Sequence, residues 1–219
     1  MDILLGKILI QPNVVTKEGC KYLTEYVKNA PRDRMGVYDA DKANENRRDE
    51  HKVDKSIRDV ECADITPILP EVKSLYDDLV YNVINPFYNF KIRDSEVPQF
   101  LYYEKGGHYK PHYDGESMWT NPDGSKQWKK SVDRDISTVL FLNDEFEGGE
   151  FVFPAWRISI KPEPGLLVAF PSTHHYLHGV QPVTSGKRVA SVCWMRVEGV
   201  PTKEEQDKEI SEKYGIKAY

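Results

Sequence analysis

The sequence predicts an α+β protein in which an α-helical N-terminal third packs on a β-rich remainder. Two stretches before residue 97 have helical apolar periodicity, whereas short β-type runs recur at roughly ten-residue intervals from Pro98 onward. This spacing favours an antiparallel sandwich or barrel over βαβ units. The sequence contains no internal repeat that would indicate a solenoid.

Two segments have the features of amphipathic helices. In residues 16–29, Thr16 is a capping residue, the apolar side chains share one face and Pro31 ends the pattern. In residues 70–84, Pro70 lies where a first helical turn tolerates proline, and apolar residues follow the i, i+3, i+4 spacing. We expect both apolar faces to pack against the core.

The β-type runs are separated by turn residues and by one longer polar insert at residues 116–135. Residues 39–59 are densely charged and almost without apolar periodicity, which favours a solvated loop, with a functional lid as the alternative. The charged segment after residue 198 predicts a short surface helix or a frayed end. The runs are QFLYYE, STVLFLN, GEFVFP, RISIKP, GLLVAFP and RVASVCWMRV.

The composition indicates a soluble globular protein that binds neither nucleic acid nor membranes. The 219 residues carry a net charge of −5, so no basic surface for nucleic acid is indicated. No stretch approaches the roughly 18 apolar residues of a membrane span, and the first residues lack the basic region of a secretory signal. Cys20, Cys62 and Cys193 are odd in number and widely spaced, so we expect reduced packing residues and a cytoplasmic location.

The segment GGHYKPHYDGE, residues 106–116, brings two histidines and an aspartate close together in the chain. If residues 107–115 form a strand, His108, His112 and Asp114 share a face. At a rise of about 3.3 Å per residue, His112 and Asp114 start about 7 Å apart, whereas His108 starts about 13 Å from His112. Because metal–ligand bonds are about 2.0–2.2 Å long, a regular strand allows only His112 and Asp114 to share one ion.

A His-x-Asp pair by itself is also typical of an exposed polar strand. A second histidine cluster, His174, His175 and His178, lies in another predicted β region. Two histidines and one carboxylate with open coordination positions form the facial triad of non-haem Fe(II) oxygenases. The two clusters therefore favour a metal site over a polar surface.

From about residue 97 to residue 198 the sequence resembles the 2-oxoglutarate and Fe(II)-dependent oxygenases of the prolyl 4-hydroxylase type. YEKGGHYKPHYDG matches the family pattern Tyr-x-x-Gly-x-x-Tyr-x-x-His-x-Asp, and TVLFLNDEFEGGEFVFP resembles the next two strands with their Gly-Gly-Glu hairpin. PGLLVAFPSTHHYLHGVQPVTSGKRVASVCW is similar to the distal histidine strand, most of all that of bacterial PKHD-type hydroxylases. The three segments occur in family order.

The resemblance implies a double-stranded β-helix (jelly-roll) core with N-terminal helices packed on one face. It also implies a single oxygenase domain over residues 1–219. Within that domain we expect a helical support region at 1–96, the catalytic core at 97–198 and a charged C-terminal tail at 199–219.

The resemblance further implies a catalytic metal site in which His112, Asp114 and His178 hold Fe(II). Dioxygen and 2-oxoglutarate would be the cosubstrates, ascorbate a reductant, and the reaction an oxidative decarboxylation coupled to hydroxylation. Arg188, ten positions after His178, corresponds to the residue that binds the distal carboxylate of 2-oxoglutarate. A guanidinium suits that role because it can donate two charge-assisted hydrogen bonds to one carboxylate.

Further cosubstrate contacts are expected from aromatic and hydroxyl residues near the site. Tyr103 and Trp194 correspond to family positions at 2-oxoglutarate, with core packing as the alternative for each. Phe141 stands where many relatives carry a tyrosine, which leaves Tyr103 or Thr138 as the hydroxyl partner of the cosubstrate. For His174 and His175 we expect roles outside the metal coordination or at the surface.

Substrate contacts are expected from Trp119 and Trp128 in the insert 116–135, and from Tyr113, because this region overhangs the iron in relatives. The alternative for the insert is a plain surface hairpin loop. The substrate is expected to be a prolyl residue of a peptide or protein. A free amino acid or other small molecule is the second hypothesis, and a non-catalytic jelly-roll binding protein is the third.

Overall fold

The computed structural model describes residues 7–37 and 52–215. His51 and most of the charged segment 39–59 therefore lie outside the described residues, and the predictions made for them stay predictions. A π-helical turn joins the second helix to the third. Within the described ranges the α-helices are α1 (Lys17–Asn29), α2 (Leu69–Leu79), α3 (Asn85–Tyr88) and α4 (Lys203–Tyr214), with the π turn at Val80–Ile84 and 3₁₀ helices at Thr66–Ile68 and Pro154–Trp156.

Both predicted amphipathic helices are confirmed. Thr16 caps α1, since its side-chain oxygen accepts a hydrogen bond from the backbone N–H of Gly19 at 3.1 Å. Helix α2 begins at Leu69, with Pro70 in its first turn, and the helical path continues through the π turn into α3, beyond the predicted end. The buried side chains fall on one face of each helix: Cys20, Leu23 and Val27 in α1, and Val72, Tyr76 and Leu79 in α2.

The strands form two large antiparallel sheets and two ribbons. The strands are β1 (Leu9–Gln11), β2 (Arg32–Arg34), β3 (Arg58–Asp59), β4 (Glu61–Ala63), β5 (Ile92–Ser95), β6 (Gln99–Tyr103), β7 (His108–His112), β8 (Glu116–Thr120), β9 (Lys126–Lys130), β10 (Ile136–Phe141), β11 (Phe146–Gly148), β12 (Phe151–Phe153), β13 (Ile158–Ile160), β14 (Leu167–Pro171), β15 (His178–Val180), β16 (Val183–Gly186) and β17 (Arg188–Val197). The larger sheet has the order β1-β14-β10-β17-β6-β4-β2, with β5 also paired to β17, and the smaller sheet has the order β13-β12-β15-β7-β3. Strand β8 pairs with β9, and β11 with β16.

The larger sheet is buried on both faces, and the alternation of side chains decides which residues meet which layer. On β6, Phe100 and Tyr102 join the apolar cluster that contains the buried residues of α1 and α2. Leu101 and Tyr103 point the other way, into the cluster shared with β12 and β15 of the smaller sheet. The chain is therefore mostly β, with two facing antiparallel sheets, which is consistent with a double-stranded β-helix.

Two segments predicted as loops contain regular strands. Residues 58–59 form β3, which pairs with β7, so the solvated-loop prediction is wrong there. These two residues form a strand because their backbone pairs with β7. Two residues are too few to show an apolar periodicity in the sequence. Residues 116–135 hold the hairpin of β8 and β9, and the tail forms the predicted surface helix, α4.

All three cysteines are free, Cys20 and Cys193 being buried and Cys62 partly buried. Every helix in the described ranges is too short or too polar to span a membrane.

Candidate metal centre

The pairing of β7 with β15 brings two of the candidate ligands together. His112 and His178 are partners in this antiparallel register, and Asp114 lies two residues after the end of β7. One ligand atom from each of the three residues lies within 4.8 Å of the others. His112 Nε2 is 3.6 Å from Asp114 Oδ1, and His178 Nε2 is 3.3 Å from Asp114 Oδ2.

Both histidine rings are oriented by backbone carbonyls. Nδ1 of His112 donates to the carbonyl of Lys110 at 2.9 Å, and Nδ1 of His178 donates to the carbonyl of Tyr176 at 2.8 Å. Because a carbonyl oxygen only accepts, the proton of each neutral ring is on Nδ1. In this tautomer the lone pair of each Nε2 faces Asp114. A metal requires the same tautomer, because it binds the unprotonated nitrogen.

The charges in this cluster suit a cation. Burial lowers the pKa of His112, and the neighbouring His178 lowers it further, which favours the neutral, ligating form. Burial acts to raise the pKa of Asp114, but the positive charge and hydrogen bonds that the two histidines offer when protonated outweigh it and hold this pKa well below its usual range. Octahedral ligands with bonds of about 2.1 Å lie about 3 Å apart at right angles, close to the spacing of these atoms.

The Asp114 carboxylate has further partners, which the sequence interpretation missed. Ser137 Oγ donates to Asp114 Oδ2 at 2.7 Å and lies 2.8 Å from Ser172 Oγ. Serines are too common in strands for this pair to be recognised without the register of β10 against β14.

The other histidines of the described ranges, His108, His174 and His175, are not part of the cluster. His108 Nδ1 donates to the carbonyl of Gly106 at 2.9 Å, at the far end of β7. His174 Nδ1 lies 2.5 Å from a carboxylate oxygen of Glu116, and its ring stacks on Trp128 with 4.5 Å between ring centroids. His175 packs on His174. None of these three side chains lies in the cluster of His112, Asp114 and His178 that the described residues form.

Arg188 lies in the same cavity as the three candidate ligands, on the larger sheet. Its side chain is buried between the rings of Tyr103 and Phe141, whose centroids are 4.8 Å and 5.3 Å from the guanidinium carbon. Nε donates to the carbonyl of Gly149 at 3.0 Å, whereas buried Nη2 has no partner among the described residues. Burial lowers the pKa of Arg188. A buried cation with a free donor fits a carboxylate such as that of 2-oxoglutarate.

The remaining predicted cosubstrate residues are divided between the two faces of the larger sheet. Tyr103 and Trp194 border the cavity, and Arg134 lies over the Trp194 ring at 3.7 Å. Thr138 also borders the cavity, but its hydroxyl donates to the carbonyl of Cys193 at 2.9 Å and contacts Tyr76 of α2. The Thr138 hydroxyl thus donates its hydrogen on the helix side, and its role at the cosubstrate stays a prediction.

The hairpin separates its two tryptophans. In the β8–β9 register Trp119 faces Gln127, whereas Trp128 faces Met118, so the tryptophans occupy opposite faces of the ribbon. Trp128 packs edge-on against Tyr113 at 5.1 Å, next to Asp114 in the chain. Trp119 instead packs under Lys129 Nζ at 4.1 Å, and its contact with substrate stays a prediction.

A stacked pair at the cavity was also missed. Tyr109 stacks on His112 with 3.6 Å between ring centroids, and the guanidinium carbon of Arg58 lies 4.6 Å from the centroid of the Tyr109 ring. Arg58 is mostly buried, and its Nε has no partner within the described part of the chain. Arg58 belongs to the charged segment interpreted as a solvated loop, and only its pairing with β7 reveals this contact.

Comparisons with known proteins agree with this geometry. Residues 98–196 match the family model described as the 2OG-Fe(II) oxygenase superfamily. A PKHD-type hydroxylase of Xylella fastidiosa (strain M12) is 35% identical over 140 residues, which are 58% of this chain and 59% of that protein. Human prolyl 3-hydroxylase 2 is 38% identical over 86 residues, 36% of this chain but only 12% of the relative. The chain thus spans less than two thirds of the length of these curated relatives.

Solved structures share the fold at low sequence identity. A prolyl hydroxylase from Trichoplax adhaerens, in complex with a hypoxia inducible factor oxygen degradation domain peptide, aligns with a TM-score of 0.62 at 17% identity over 89% of this chain and 85% of that one. The viral collagen prolyl hydroxylase of Paramecium Bursaria Chlorella virus-1 aligns with a TM-score of 0.57 at 18% identity over 87% and 96%. Residues 98–196, which match the model of the 2OG-Fe(II) oxygenase superfamily, carry all three candidate ligands.

Proposed function

We propose that this protein is an Fe(II)- and 2-oxoglutarate-dependent dioxygenase that hydroxylates a prolyl residue of a peptide or protein. One observation carries the proposal. A two-histidine, one-carboxylate cluster shares a cavity with a buried arginine, Arg188, that has a free donor. The first group suits ferrous iron and the second suits the far carboxylate of a dicarboxylic cosubstrate.

In this proposal His112, Asp114 and His178 hold the metal, which supplies the oxidising chemistry when 2-oxoglutarate and dioxygen are bound. The protein's own contribution is placement. Arg188 binds and orients the cosubstrate, Tyr103 offers a hydroxyl beside the guanidinium, and the apolar walls of the cavity exclude water.

A prolyl substrate is supported by the names of the relatives, which include prolyl 3-hydroxylase 2 and prolyl hydroxylases of known structure. We propose Trp128 and Tyr113 as substrate contacts, because they form an aromatic pair next to the ligand Asp114. Trp194, beneath Arg134, is proposed to border the cosubstrate.

We further propose that residues 1–219 form one oxygenase domain that acts in the cytoplasm, with ascorbate as a reductant. Three free thiols support a reducing compartment. Buried residues of α1 and α2 share one apolar cluster with β6, β10 and β14, which supports a single folding unit.

The experiment is an anaerobic titration of the protein with Fe(II) and then 2-oxoglutarate, followed by exposure to oxygen with proline-containing peptides. We expect a metal-to-cosubstrate absorption band, succinate release and a gain of one oxygen atom on the peptide by mass spectrometry. Absence of both the band and succinate would contradict the oxygenase assignment.

The substrate class is tested in the same assay. Free proline and a peptide in which alanine replaces proline serve as matched controls. Oxygen incorporation into free proline but not into peptides would contradict the peptidyl assignment while leaving the oxygenase assignment intact.

A further inference from the structure

Asp114 is held by a chain of two buried hydroxyl groups. Ser137 Oγ donates to Asp114 Oδ2 at 2.7 Å, so its own oxygen is free to accept from Ser172 Oγ at 2.8 Å. Both serines are at most 2% exposed. The direction of donation is fixed by the carboxylate at the end, which only accepts while it is ionised.

The backbone of Ser172 holds the same turn. Its carbonyl accepts a hydrogen bond from the N–H of Gly115 at 2.9 Å, while its own N–H donates to the carbonyl of Asp135 at 2.9 Å. A Cβ at Gly115 would lie 2.7 Å from the carbonyl oxygens of Ser172 and Arg134, so only glycine allows this close approach. Ser172 thus fixes both the carboxylate and the peptide that follows it.

We propose that Ser137 and Ser172 are positioning residues that reserve one oxygen of Asp114 for the metal. This inference rests on the proposed function of the site as an iron centre. The Ser137 bond occupies Oδ2 and fixes the plane of the carboxylate. Oδ1, 3.6 Å from His112 Nε2, is then presented as the ligand oxygen without a serine bond, whereas Oδ2, 3.3 Å from His178 Nε2, has one acceptor position taken by the Ser137 hydroxyl.

Single-oxygen ligation matters because the proposed reaction needs open coordination positions for cosubstrate and oxygen. A carboxylate that rotates freely can bind through both oxygens and occupy one of those positions. Two hydroxyls in series also polarise each other, which strengthens the terminal bond to the carboxylate. Partners of this kind, one step beyond the ligands, typically change metal affinity by about 10- to 100-fold when they are removed.

The test compares Ser137→Ala and Ser172→Ala with Ser191→Ala. Ser191 is a matched control, because it is also a fully buried serine on the larger sheet, but its hydroxyl lies 2.9 Å from that of Tyr76 on the helix side. The dissociation constant of Fe(II) is measured anaerobically by calorimetry. The absorption spectrum of the Co(II)-loaded protein reports the coordination number.

We expect Ser137→Ala to raise the Fe(II) dissociation constant about tenfold or more and to alter the Co(II) spectrum. Ser172→Ala should do both to a smaller extent, because Ser137 can still donate. Ser191→Ala should change neither, and Ser137→Thr, which keeps the hydroxyl, should restore the wild-type spectrum. If Ser137→Ala does not fold, Ser172→Ala and Ser137→Thr still decide the question.

Two results would overturn the inference. One is wild-type affinity and spectrum in both Ser137→Ala and Ser172→Ala; the other is an equal loss in Ser191→Ala, which would indicate general destabilisation. If the wild-type protein binds no Fe(II), the proposed function fails as well. Tight wild-type binding with an unaffected Ser137→Ala contradicts the positioning role alone.

Discussion

Replacing Arg188 by methionine removes the proposed cosubstrate anchor while keeping a long apolar side chain in its place. In the native protein Arg188 is 1% exposed, its Nε donates to a backbone carbonyl and its Nη2 has no partner within the described residues. A carboxylate that enters the cavity can therefore gain at least one charge-assisted hydrogen bond from Nη2.

The size of the effect follows from that bond. A hydrogen bond to a charged group contributes about 1.5–3 kcal/mol. Since about 1.4 kcal/mol corresponds to a factor of ten, Arg188→Met should weaken 2-oxoglutarate binding about 10- to 150-fold. Fe(II) affinity should not change, because Arg188 contacts none of the candidate ligands. The apoprotein should not lose stability, since the variant removes a buried cation that lacks an ionic partner.

The assay is thermal or denaturant unfolding of the Fe(II)-loaded protein with and without 2-oxoglutarate. At a concentration of about 100 times its dissociation constant the cosubstrate should stabilise the wild type by about 2.7 kcal/mol. With hundredfold weaker binding the same concentration stabilises Arg188→Met by only about 0.4 kcal/mol.

Lys187→Met is the matched control, because it removes a positive charge from the adjacent position. The Lys187 ammonium lies 5.5 Å from the Tyr102 ring, on the helix side of the sheet, so cosubstrate stabilisation should stay at the wild-type value. Equal stabilisation of wild type and Arg188→Met by 2-oxoglutarate would refute the assignment of the anchor.

The other predictions concern the ligands, the hairpin and the buried thiols. His178→Ala should abolish Fe(II) binding in calorimetry, whereas His108→Ala should retain it, because His108 lies at the far end of β7; loss of iron in His108→Ala would contradict the ligand set. Asp207→Asn breaks the ion pair between α4 and β9, so hydrogen exchange of the β8–β9 amides should accelerate while Fe(II) affinity is unchanged; unaltered exchange would show that α4 does not hold the hairpin. Burial raises the pKa of Cys20 to about 11 and that of Cys193 to about 12, so these thiols ionise first in the unfolded state. Their protonated form therefore contributes its full share to the free energy of unfolding below about pH 8.5, and this share is lost as the pH rises. A free energy of unfolding that does not change between about pH 8 and 10 in denaturant titrations would contradict this.

Features encoded within one element could be predicted from the sequence. The amphipathic helices, the cap at Thr16 and the two-residue spacing of His112 and Asp114 follow from local periodicity. Strand arithmetic alone excluded His108. Family resemblance then selected His178 and Arg188, which the fold brings into one cavity although the chain separates them from the first ligands.

Only the tertiary structure decided the features that depend on strand pairing. Thr138 and Phe141 are three residues apart on β10 and so face opposite layers, and the β8–β9 register turned Trp119 away from Trp128. Arg58 and Ser137 became visible as site residues only after β3 paired with β7 and β10 with β14. Composition and motif determine which side chains have the chemistry of an iron and 2-oxoglutarate site. Strand register determines which of them meet, because a shift of one residue sends a side chain to the opposite face of its sheet.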